Sequence, residues 1–359
     1  MLISGKALLD LCKNYASFKE NKKGGITLFR FNQAQLNMYD EGLLFSGYSK
    51  GAAGICLIFE TTADSFTLKT KITRLKKMII PWIERKGIKS FFIQTKQLAQ
   101  KAKQLKGIAP VKYNFEIYVN GEKAKSIAAK DNIRFKLDNP QCEKNKIEIF
   151  FPIFCAITLK SLYAKENINA VFSDRPKLIC FGDSITQGFF AQNPTGNYVY
   201  RLAELLGFDA LNQGVGGFVF SPDILLEAQT LAKPDLVTVA YGTNDWRYAE
   251  NYTSFITDIK AFFVRLNELY YDIPIFVITP IWRSDINEIT NIGSFKQVAE
   301  VISSEASCYK NITVIDGLTL IPHEKRYFAD KWLHPNEEGF SLMASRLAQE
   351  ISNKINVDK

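Results

Sequence analysis

Hydrophobic and polar residues follow different patterns in the two halves of the chain. In the first half, short runs rich in β-branched and aromatic residues are separated by turn-forming residues, which is typical of β-strands. These runs are GITLFRF (25–31), AGICLIFET (53–61), SFTLKTKI (65–72), YNFEIYVNGEKAKSI (113–127) and KIEIFFPIFCAITLKSLYA (146–164). Asn120-Gly121 predicts a two-residue hairpin turn, and TTADS and DNPQ predict further turns. The pattern as a whole predicts an antiparallel β-sandwich.

The second half alternates apolar strand-like runs with amphipathic helical ones. The strand-like runs are KLICFGDS (177–184), DLVTVAYGTND (235–245), IPIFVITP (273–280) and ITVIDG (312–317). The helical runs are NYVYRLAELLG (197–207), YTSFITDIKAFFVRLNELYY (252–271), SFKQVAEVISSEASCY (294–309) and NEEGFSLMASRLAQEISNKI (336–355). This alternation predicts a parallel sheet covered by helices on both faces. We therefore expect two domains, residues 1–172 and 173–359.

Composition places the chain among ordinary globular proteins. It has 359 residues, of which 47% are hydrophobic and 23% charged, and no apolar run approaches the length of a membrane span. The first twenty residues predict a short amphipathic helix and not a signal peptide. Six scattered cysteines without a CxxC pair predict reduced, buried thiols in a cytoplasmic protein. With only two histidines and no clustered cysteines, we expect no metal centre, and the chemistry considered below needs no cofactor.

The net charge of +8 raises the question of a nucleic-acid partner. Much of this charge comes from residues 69–106, where Glu84 is the single acid. A basic groove for phosphates is one interpretation. A solvated lysine-rich surface, with a helix or a lysine-rich segment at 94–106, is the interpretation we favour, because few aromatic residues accompany the lysines. We expect no nucleic-acid and no membrane partner.

Polar residues follow successive strands of the predicted parallel sheet, where ligands of such folds bind. Ser184 follows the first strand, at a turn that Gly182 permits, and is a candidate nucleophile. His334, in FADKWLHPNEEGF, is the candidate base. Asn244 in GTND and a glycine N–H in LNQGVGGFVF could stabilise the oxyanion that ester cleavage creates.

Each of these residues also has an ordinary structural explanation. A serine in a tight turn is usually a turn residue or a helix cap, and Asn244 could cap the following helix. His-Pro-Asn could simply begin a helix with Asn336 as its cap. Their joint occurrence along one sheet edge nevertheless indicates an active site. We assign Asp183 and Asp245 to hydrogen bonds that hold the loops.

The blocks GDSITQG, NQGVGG, GTND and HPN together resemble the SGNH hydrolases, the GDSL-type esterases and lipases, over roughly residues 176–352. The resemblance implies a flavodoxin-like three-layer α/β/α domain. It implies Ser184 as nucleophile, His334 as base, and an oxyanion hole built from the N–H groups of Ser184 and Gly217 and the side chain of Asn244. Gly217 is preferred to Gly216 because it stands five residues after Asn212, as in the family. The preceding sandwich, jelly-roll-like, is similar to two-domain bacterial members, including carbohydrate esterases.

One position departs from the family pattern. The family usually places its acid three residues before the histidine, and Lys331 stands there in this chain, one residue after Asp330. Either a one-residue bulge lets Asp330 reach the imidazole, or a backbone carbonyl orients His334 and the site is a dyad. We favour Asp330, because a partner for Nδ1–H fixes the tautomer of the histidine.

The aromatic residues near the motifs are candidates for substrate contacts, and we select Trp332, Trp246 and Phe218. The predicted activity is hydrolysis of small acyl esters, acetyl above all, of a carbohydrate or similar alcohol. A lipase or thioesterase acting on longer acyl chains is one alternative, and a non-catalytic carbohydrate-binding protein is another. The sequence does not indicate the oligomeric state.

Overall fold

The computed structural model describes residues 1–75, 77, 82, 83, 86, 113–137 and 144–357. Most of the lysine-rich stretch, including the candidate helix at 94–106, lies outside the described residues. The DNPQ turn at 138–141 also lies outside them.

The described part of the first half contains twelve short strands, two α-helices and a 3₁₀ helix at Gly5–Leu11. The strands are β1 (Leu2–Ser4), β2 (Cys12–Lys13), β3 (Ser17–Glu20), β4 (Ile26–Phe29), β5 (Cys56–Thr61), β6 (Ser65–Arg74), β7 (Asn114–Val119), β8 (Glu122–Ala128), β9 (Asn132–Lys136), β10 (Asn145–Phe150), β11 (Cys155–Ala164) and β12 (Ile168–Ala170). Helices α1 (Gln33–Tyr39) and α2 (Leu43–Tyr48) lie between β4 and β5.

The strands form two antiparallel sheets. One has the order β3-β4-β11-β6-β9, with β1 added to β11, and the other has the order β12-β5-β10-β7-β8, with β2 added to β5. Their inward side chains, such as Phe59, Leu68 and Phe115, form one fully buried apolar cluster. Asn120 and Gly121 join β7 to β8 with φ of 53° and 85°, which is the left-handed pair that such a hairpin turn requires. The predicted antiparallel, sheet-rich first half is confirmed.

The first residues do not form the predicted amphipathic α-helix. They form β1, a 3₁₀ helix at Gly5–Leu11, and β2. β1 pairs with β11 and β2 pairs with β5, so one short segment contributes a strand to each sheet. Leu8 and Leu11 are buried between them. Pairing with two existing sheet edges satisfies backbone groups that an isolated short helix would leave to water.

The second half is built around a parallel sheet. Its strands are β13 (Lys177–Gly182), β14 (Asp209–Gly214), β15 (Leu236–Ala240), β16 (Ile275–Ile278) and β19 (Ile312–Ile315), in the order β14-β13-β15-β16-β19. A small antiparallel pair, β17 (Ile289–Thr290) and β18 (Gly293–Ser294), lies outside it. The helices are α3 (Ser184–Gln187), α4 (Tyr198–Leu206), α5 (Thr243–Tyr248), α6 (Tyr252–Tyr270), α7 (Phe295–Ala306) and α8 (Glu337–Val357).

Two apolar clusters cover the two faces of this sheet. On one face, Val237 and Val239 pack with Phe262 of α6 and Val298 of α7. On the other face, Leu178 and Cys180 pack with Leu202 of α4 and Leu347 of α8. The predicted α/β/α arrangement is confirmed, and the carboxyl ends of all five strands meet at one edge.

A segment of the first half completes the core of the second. Phe31, Leu36 and Tyr39 belong to the same buried cluster as Phe181 and Val237. The adjacent β12 and β13 are separated only by residues 171–176. The proposed boundary at 172 therefore falls at a gap between sheets, but helices α1 and α2, which were not predicted, pack across it.

Hydrogen bonds from Arg30 connect the segment that contains Phe31, Leu36 and Tyr39 to the parallel sheet. The Arg30 guanidinium is fully buried and donates to the carbonyl oxygens of Asn212 at 2.6 Å, Gly214 at 2.9 Å and Gly51 at 2.8 Å. Burial lowers the pKa of Arg30 to about 9. The side chain holds the end of β14, and hence the loop that follows it, against the first half of the chain.

Candidate active site

Ser184 lies at the turn between β13 and α3. Asp183 caps the helix, because its Oδ1 accepts the N–H of Ile185 at 2.9 Å. A side chain at Gly182 would place its Cβ 2.0 Å from Thr186 Oγ1 and 2.9 Å from the Ala240 carbonyl oxygen. Only glycine fits there, which is why the serine can follow the strand so closely.

The structure brings Ser184, His334 and Asp330 into one chain of contacts. Ser184 Oγ is 2.8 Å from His334 Nε2, although 150 residues separate them. His334 Nδ1 is 2.6 Å from Asp330 Oδ2. Ser184 is 5% exposed and His334 is 8% exposed. The three side chains have the connectivity of a Ser-His-Asp triad.

The extra residue between Asp330 and His334 is accommodated by a left-handed backbone. Lys331 has φ of 58°, and the chain then folds so that Asp330 Oδ1 accepts three N–H groups. These belong to Trp332 at 2.9 Å, Leu333 at 2.8 Å and His334 at 3.0 Å. This is the one-residue bulge considered above, and the structure places the Asp330 carboxylate, not a backbone carbonyl, at Nδ1.

The Asp330 carboxylate is strongly stabilised in its ionised form. Burial acts to raise its pKa, but the hydrogen bond and charge of His334 and the N–H groups of Leu333 and Trp332 outweigh this effect. The pKa of Asp330 is therefore held below its usual value. At neutral pH the group is an anion beside the imidazole.

The two glycines after β14 differ in what their N–H groups do. Gly216 N–H donates to Gln187 Oε1 at 2.8 Å, so it is already occupied. Gly217 is half-buried, with φ of 80°, and its N–H has no acceptor among the described residues. Of the two, Gly217 has the free donor that an oxyanion would need.

Asn244 lies in the first turn of α5, close to Asp183. Its Nδ2 donates to the Phe218 carbonyl oxygen at 3.0 Å and to Asp183 Oδ2 at 3.3 Å. The second contact is longer than most N–H···O bonds. An oxyanion held by Asn244 would replace it.

Asp183 and Asp245 hold the surrounding loops, as predicted. Asp245 accepts the N–H groups of Phe220 and Gly242, both at 3.0 Å, and so links the two loops that carry Gly217 and Asn244. Burial raises the pKa of Asp183 to about 7 and that of Asp245 to about 7.

Two of the three aromatic residues predicted to contact substrate lie in the core. Trp246 is completely buried, donates its Nε1–H to the Gly293 carbonyl oxygen at 3.1 Å and packs edge-to-face on Phe295. The prediction for Trp246 was wrong, because no surface of the indole remains for a ligand. Phe218 is only 9% exposed. Trp332 is half-buried in the loop that carries His334.

The rings beside His334 belong to Phe189 and Phe190. Their centroids are 5.7 Å and 5.1 Å from that of the imidazole. Neither is among the three aromatic residues selected from the sequence. Phe190 has φ of 65°, which turns the chain after α3 back over the histidine.

Arg283, which sequence reasoning missed, joins the two loops of the site. Its guanidinium lies between the rings of Trp246 at 4.6 Å and Trp332 at 4.8 Å. It pairs with Asp285 at 2.5 and 2.9 Å and donates to the Thr243 carbonyl oxygen at 3.0 Å. The one available signal was its position in the loop after β16, five residues beyond the end of the strand and at the same sheet edge.

The described residues contain no group of three or more side chains suited to a metal ion. Among those same residues, no helix combines the length and apolar character needed to cross a bilayer.

Comparison with known proteins identifies the second half of the chain. Residues 180–342 match the GDSL-like lipase/acylhydrolase family, so this half is a domain of that family and the protein is a carboxylic ester hydrolase. No curated protein sequence matches the chain.

Solved structures share the whole two-part architecture. The salicylyl-acyltransferase SsfX3 from a tetracycline biosynthetic pathway is 15% identical, with a TM-score of 0.75, over 98% of this chain and 97% of that one. A candidate GDSL-like lipase from Bacteroides ovatus ATCC 8483 is 17% identical, with a TM-score of 0.70, over 99% and 98%. A family two carbohydrate esterase from Clostridium thermocellum, in complex with cellohexaose, is 15% identical, with a TM-score of 0.62, over 99% of both chains. These likenesses show a common fold.

Proposed function

We propose that this protein is a serine esterase that removes small acyl groups, acetyl above all, from a carbohydrate or similar polar alcohol. The observation that carries the proposal is the contact chain from Ser184 Oγ to His334 Nε2 at 2.8 Å and from His334 Nδ1 to Asp330 Oδ2 at 2.6 Å. A hydroxyl beside a base that a third group orients is the arrangement that activates a serine nucleophile.

In the proposed reaction, Ser184 Oγ attacks the carbonyl carbon of the ester while its proton passes to His334 Nε2. The resulting oxyanion is held by the N–H groups of Ser184 and Gly217 and by Asn244, which gives up its contact with Asp183. Collapse of the intermediate breaks the ester bond, and His334 protonates the departing alcohol oxygen. Water then attacks the acyl-enzyme, passes a proton to His334, and releases the carboxylic acid and the free Ser184 hydroxyl.

The choice of alcohol rests on the structural neighbours. Several of these are family two carbohydrate esterases, and one was solved with cellohexaose. The choice of a small acyl group rests on crowding next to the proposed oxyanion donor, where the rings of Tyr48 and Phe45 lie beside Gly216 and Gly217. An apolar, confined acyl pocket discriminates against added methylenes.

The compartment is a separate inference. Cys12, Cys56, Cys155 and Cys180 are buried free thiols, and disulfides are rare where the environment is reducing. We infer a cytoplasmic protein on this ground.

Purified protein should hydrolyse chromogenic acetyl esters and release acetate from O-acetylated sugars. Ser184→Ala should lower turnover by about a million-fold, which is the scale expected when a hydroxyl nucleophile is deleted, while the thermal unfolding curve stays close to that of the wild type. A serine-reactive phosphonate should label Ser184 alone. A fully active Ser184→Ala protein would disprove the mechanism, and activity that rises with acyl length would replace the esterase by a lipase or thioesterase. An inactive but sugar-binding protein would indicate a binding function.

A further inference from the structure

Helix α2 of the first half lies against the loop that carries the proposed oxyanion donor. Gln187, from the GDSITQG motif, makes the connection. Its Nε2 donates to the Tyr48 carbonyl oxygen at 2.9 Å, and its Oε1 accepts the N–H of Gly216 at 2.8 Å. Arg30 Nη2 donates to the same Tyr48 oxygen at 3.1 Å. The carboxyl end of α2 is therefore fixed relative to Gly216 and Gly217.

Phe45 projects from α2 toward Gly217. A Cβ built on Gly217 would be 3.6 Å from Phe45 Cε1, which is ordinary van der Waals distance. The Phe45 ring also packs edge-to-face on Phe218, with centroids 4.9 Å apart. Phe45 is therefore a direct neighbour of the residue that carries the proposed oxyanion donor.

The chemistry of the reaction separates the two sides of the site. His334 must protonate the departing alcohol oxygen, so the alcohol lies on the side of His334 and Phe190. The carbonyl oxygen points to the Gly217 N–H, and the acyl substituent takes the remaining direction from the tetrahedral carbon, away from His334 and next to the oxyanion donors. Phe45, which lies next to Gly217, borders this remaining direction.

From this geometry we infer that Phe45, contributed by the first half of the chain, limits the length of the acyl group. The inference rests on the proposed function and deepens it. Phe45 is a specificity-determining residue, and the first half of the chain forms one wall of the acyl pocket.

Phe45 packs against the buried core but keeps part of its surface exposed. Leu43 is 3% exposed, and Ser46 and Gly47 are also buried, so these residues seat the helix. Phe45 remains half-buried, and Leu44 is half-buried as well. Because consecutive helical residues project about 100° apart, Leu44 does not share the direction of Phe45. Leu44 is therefore a matched control position on the same helix.

The test uses full-length protein and p-nitrophenyl acetate, butyrate and hexanoate. The measured quantity is the ratio of kcat/KM for hexanoate to kcat/KM for acetate, in which a general loss of activity cancels. Phe45→Ala should raise this ratio by about tenfold or more, since one methylene in a confined apolar pocket changes kcat/KM by roughly 10- to 200-fold. Phe45→Trp should lower the butyrate-to-acetate ratio. Leu44→Ala should leave both ratios within about twofold of the wild type.

The outcomes separate this inference from the proposed function. If Ser184→Ala abolishes activity but neither Phe45 variant changes the ratios, Phe45 does not bound the acyl pocket and the esterase proposal stands. If Leu44→Ala shifts the ratios as much as Phe45→Ala, the effect belongs to the helix and the inference is wrong. If Ser184→Ala retains activity, the proposed function itself fails. If Phe45→Ala does not fold, Phe45→Leu replaces it and should also raise the hexanoate-to-acetate ratio of kcat/KM, by a smaller factor.

Discussion

Replacing Asp330 by asparagine tests how His334 is oriented, because the structure determines which way the new amide must face. Asp330 Oδ1 accepts the N–H groups of Trp332, Leu333 and His334. In Asp330→Asn the side-chain oxygen can keep these three bonds only if Nδ2 takes the place of Oδ2. The opposite rotamer would aim the NH₂ group at three N–H donors.

The size of this preference follows from the three bonds. Each hydrogen bond contributes about 1 kcal/mol net, and an unsatisfied buried donor costs more, so the wrong rotamer is disfavoured by roughly 3 kcal/mol or more. At about 1.4 kcal/mol per factor of ten, this corresponds to a hundredfold or greater preference. The asparagine Nδ2 is thus held opposite His334 Nδ1.

The consequence is a change of tautomer. Nδ2 is a donor, so His334 Nδ1 must accept and the imidazole proton moves to Nε2. Nε2 faces Ser184 Oγ and can then no longer accept the serine proton. The comparable substitution in a serine protease triad costs about 10⁴ in turnover, or about 5 kcal/mol of barrier. We expect a loss of that order with the fold intact.

Turnover of p-nitrophenyl acetate at pH 7 to 8 and thermal unfolding measure the two effects separately. Asp316→Asn is a matched control, because Asp316 Oδ1 also accepts a backbone N–H, that of Leu318 at 3.0 Å, but lies in another loop. Asp316→Asn should retain its turnover. A folded Asp330→Asn protein that loses less than about tenfold, some 1.4 kcal/mol of barrier, would refute the role of the carboxylate.

Four further outcomes are expected. Asn244→Ala should lower turnover by about 10² to 10³ with little change in apparent substrate affinity, since an oxyanion donor acts mainly in the transition state; a change confined to affinity would make Asn244 a substrate contact. Arg283→Lys should reduce the free energy of unfolding in urea by on the order of 3 kcal/mol, because a lysine cannot pair with Asp285 and donate to Thr243 at the same time. An unchanged midpoint of urea unfolding would contradict this role of Arg283. Because the folded-state pKa of Asp330 is depressed, its carboxylate stabilises the fold above about pH 4, and this contribution is lost as the pH falls through the folded-state pKa. As the pH falls below about 4, the free energy of unfolding should therefore decrease less steeply for Asp330→Asn than for the wild type. Equal pH dependences of the two proteins would exclude this role of the Asp330 carboxylate. A protein of residues 172–359 should be insoluble or inactive, since it lacks the first-half residues that complete its core; a soluble, fully active truncation would show that the first half is not part of the site.

Local patterns were sufficient to predict the order of elements and the type of sheet. Strand runs with period two and helical runs with period 3.6 are properties of neighbouring residues, so they can be read without knowing the fold. The Asn120-Gly121 hairpin was predictable for the same reason. Helices α1 and α2 were missed because they are short and depend on packing against the second half.

The sequence alone left two possible partners for His334 Nδ1, which were the Asp330 carboxylate and a backbone carbonyl. The spacing of Asp330 and His334 departs from the family by one residue, and sequence alone does not state whether the extra residue bulges. The left-handed conformation of Lys331 and the three N–H groups on Asp330 Oδ1 settle the geometry. That conformation is stabilised by the loop as a whole and not by Lys331 itself.

The sequence by itself determined the two architectures and the residues able to carry ester chemistry, because periodicity, turn-forming glycines and four motif blocks are all local in the chain. Only the tertiary structure decided which of these residues touch. It placed Trp246 in the core, left the Gly217 N–H free while occupying that of Gly216, and brought Phe45 beside Gly217 and Arg283 against Trp332. These outcomes depend on contacts between segments far apart in sequence, where burial and hydrogen-bond satisfaction of the whole fold outweigh local preference.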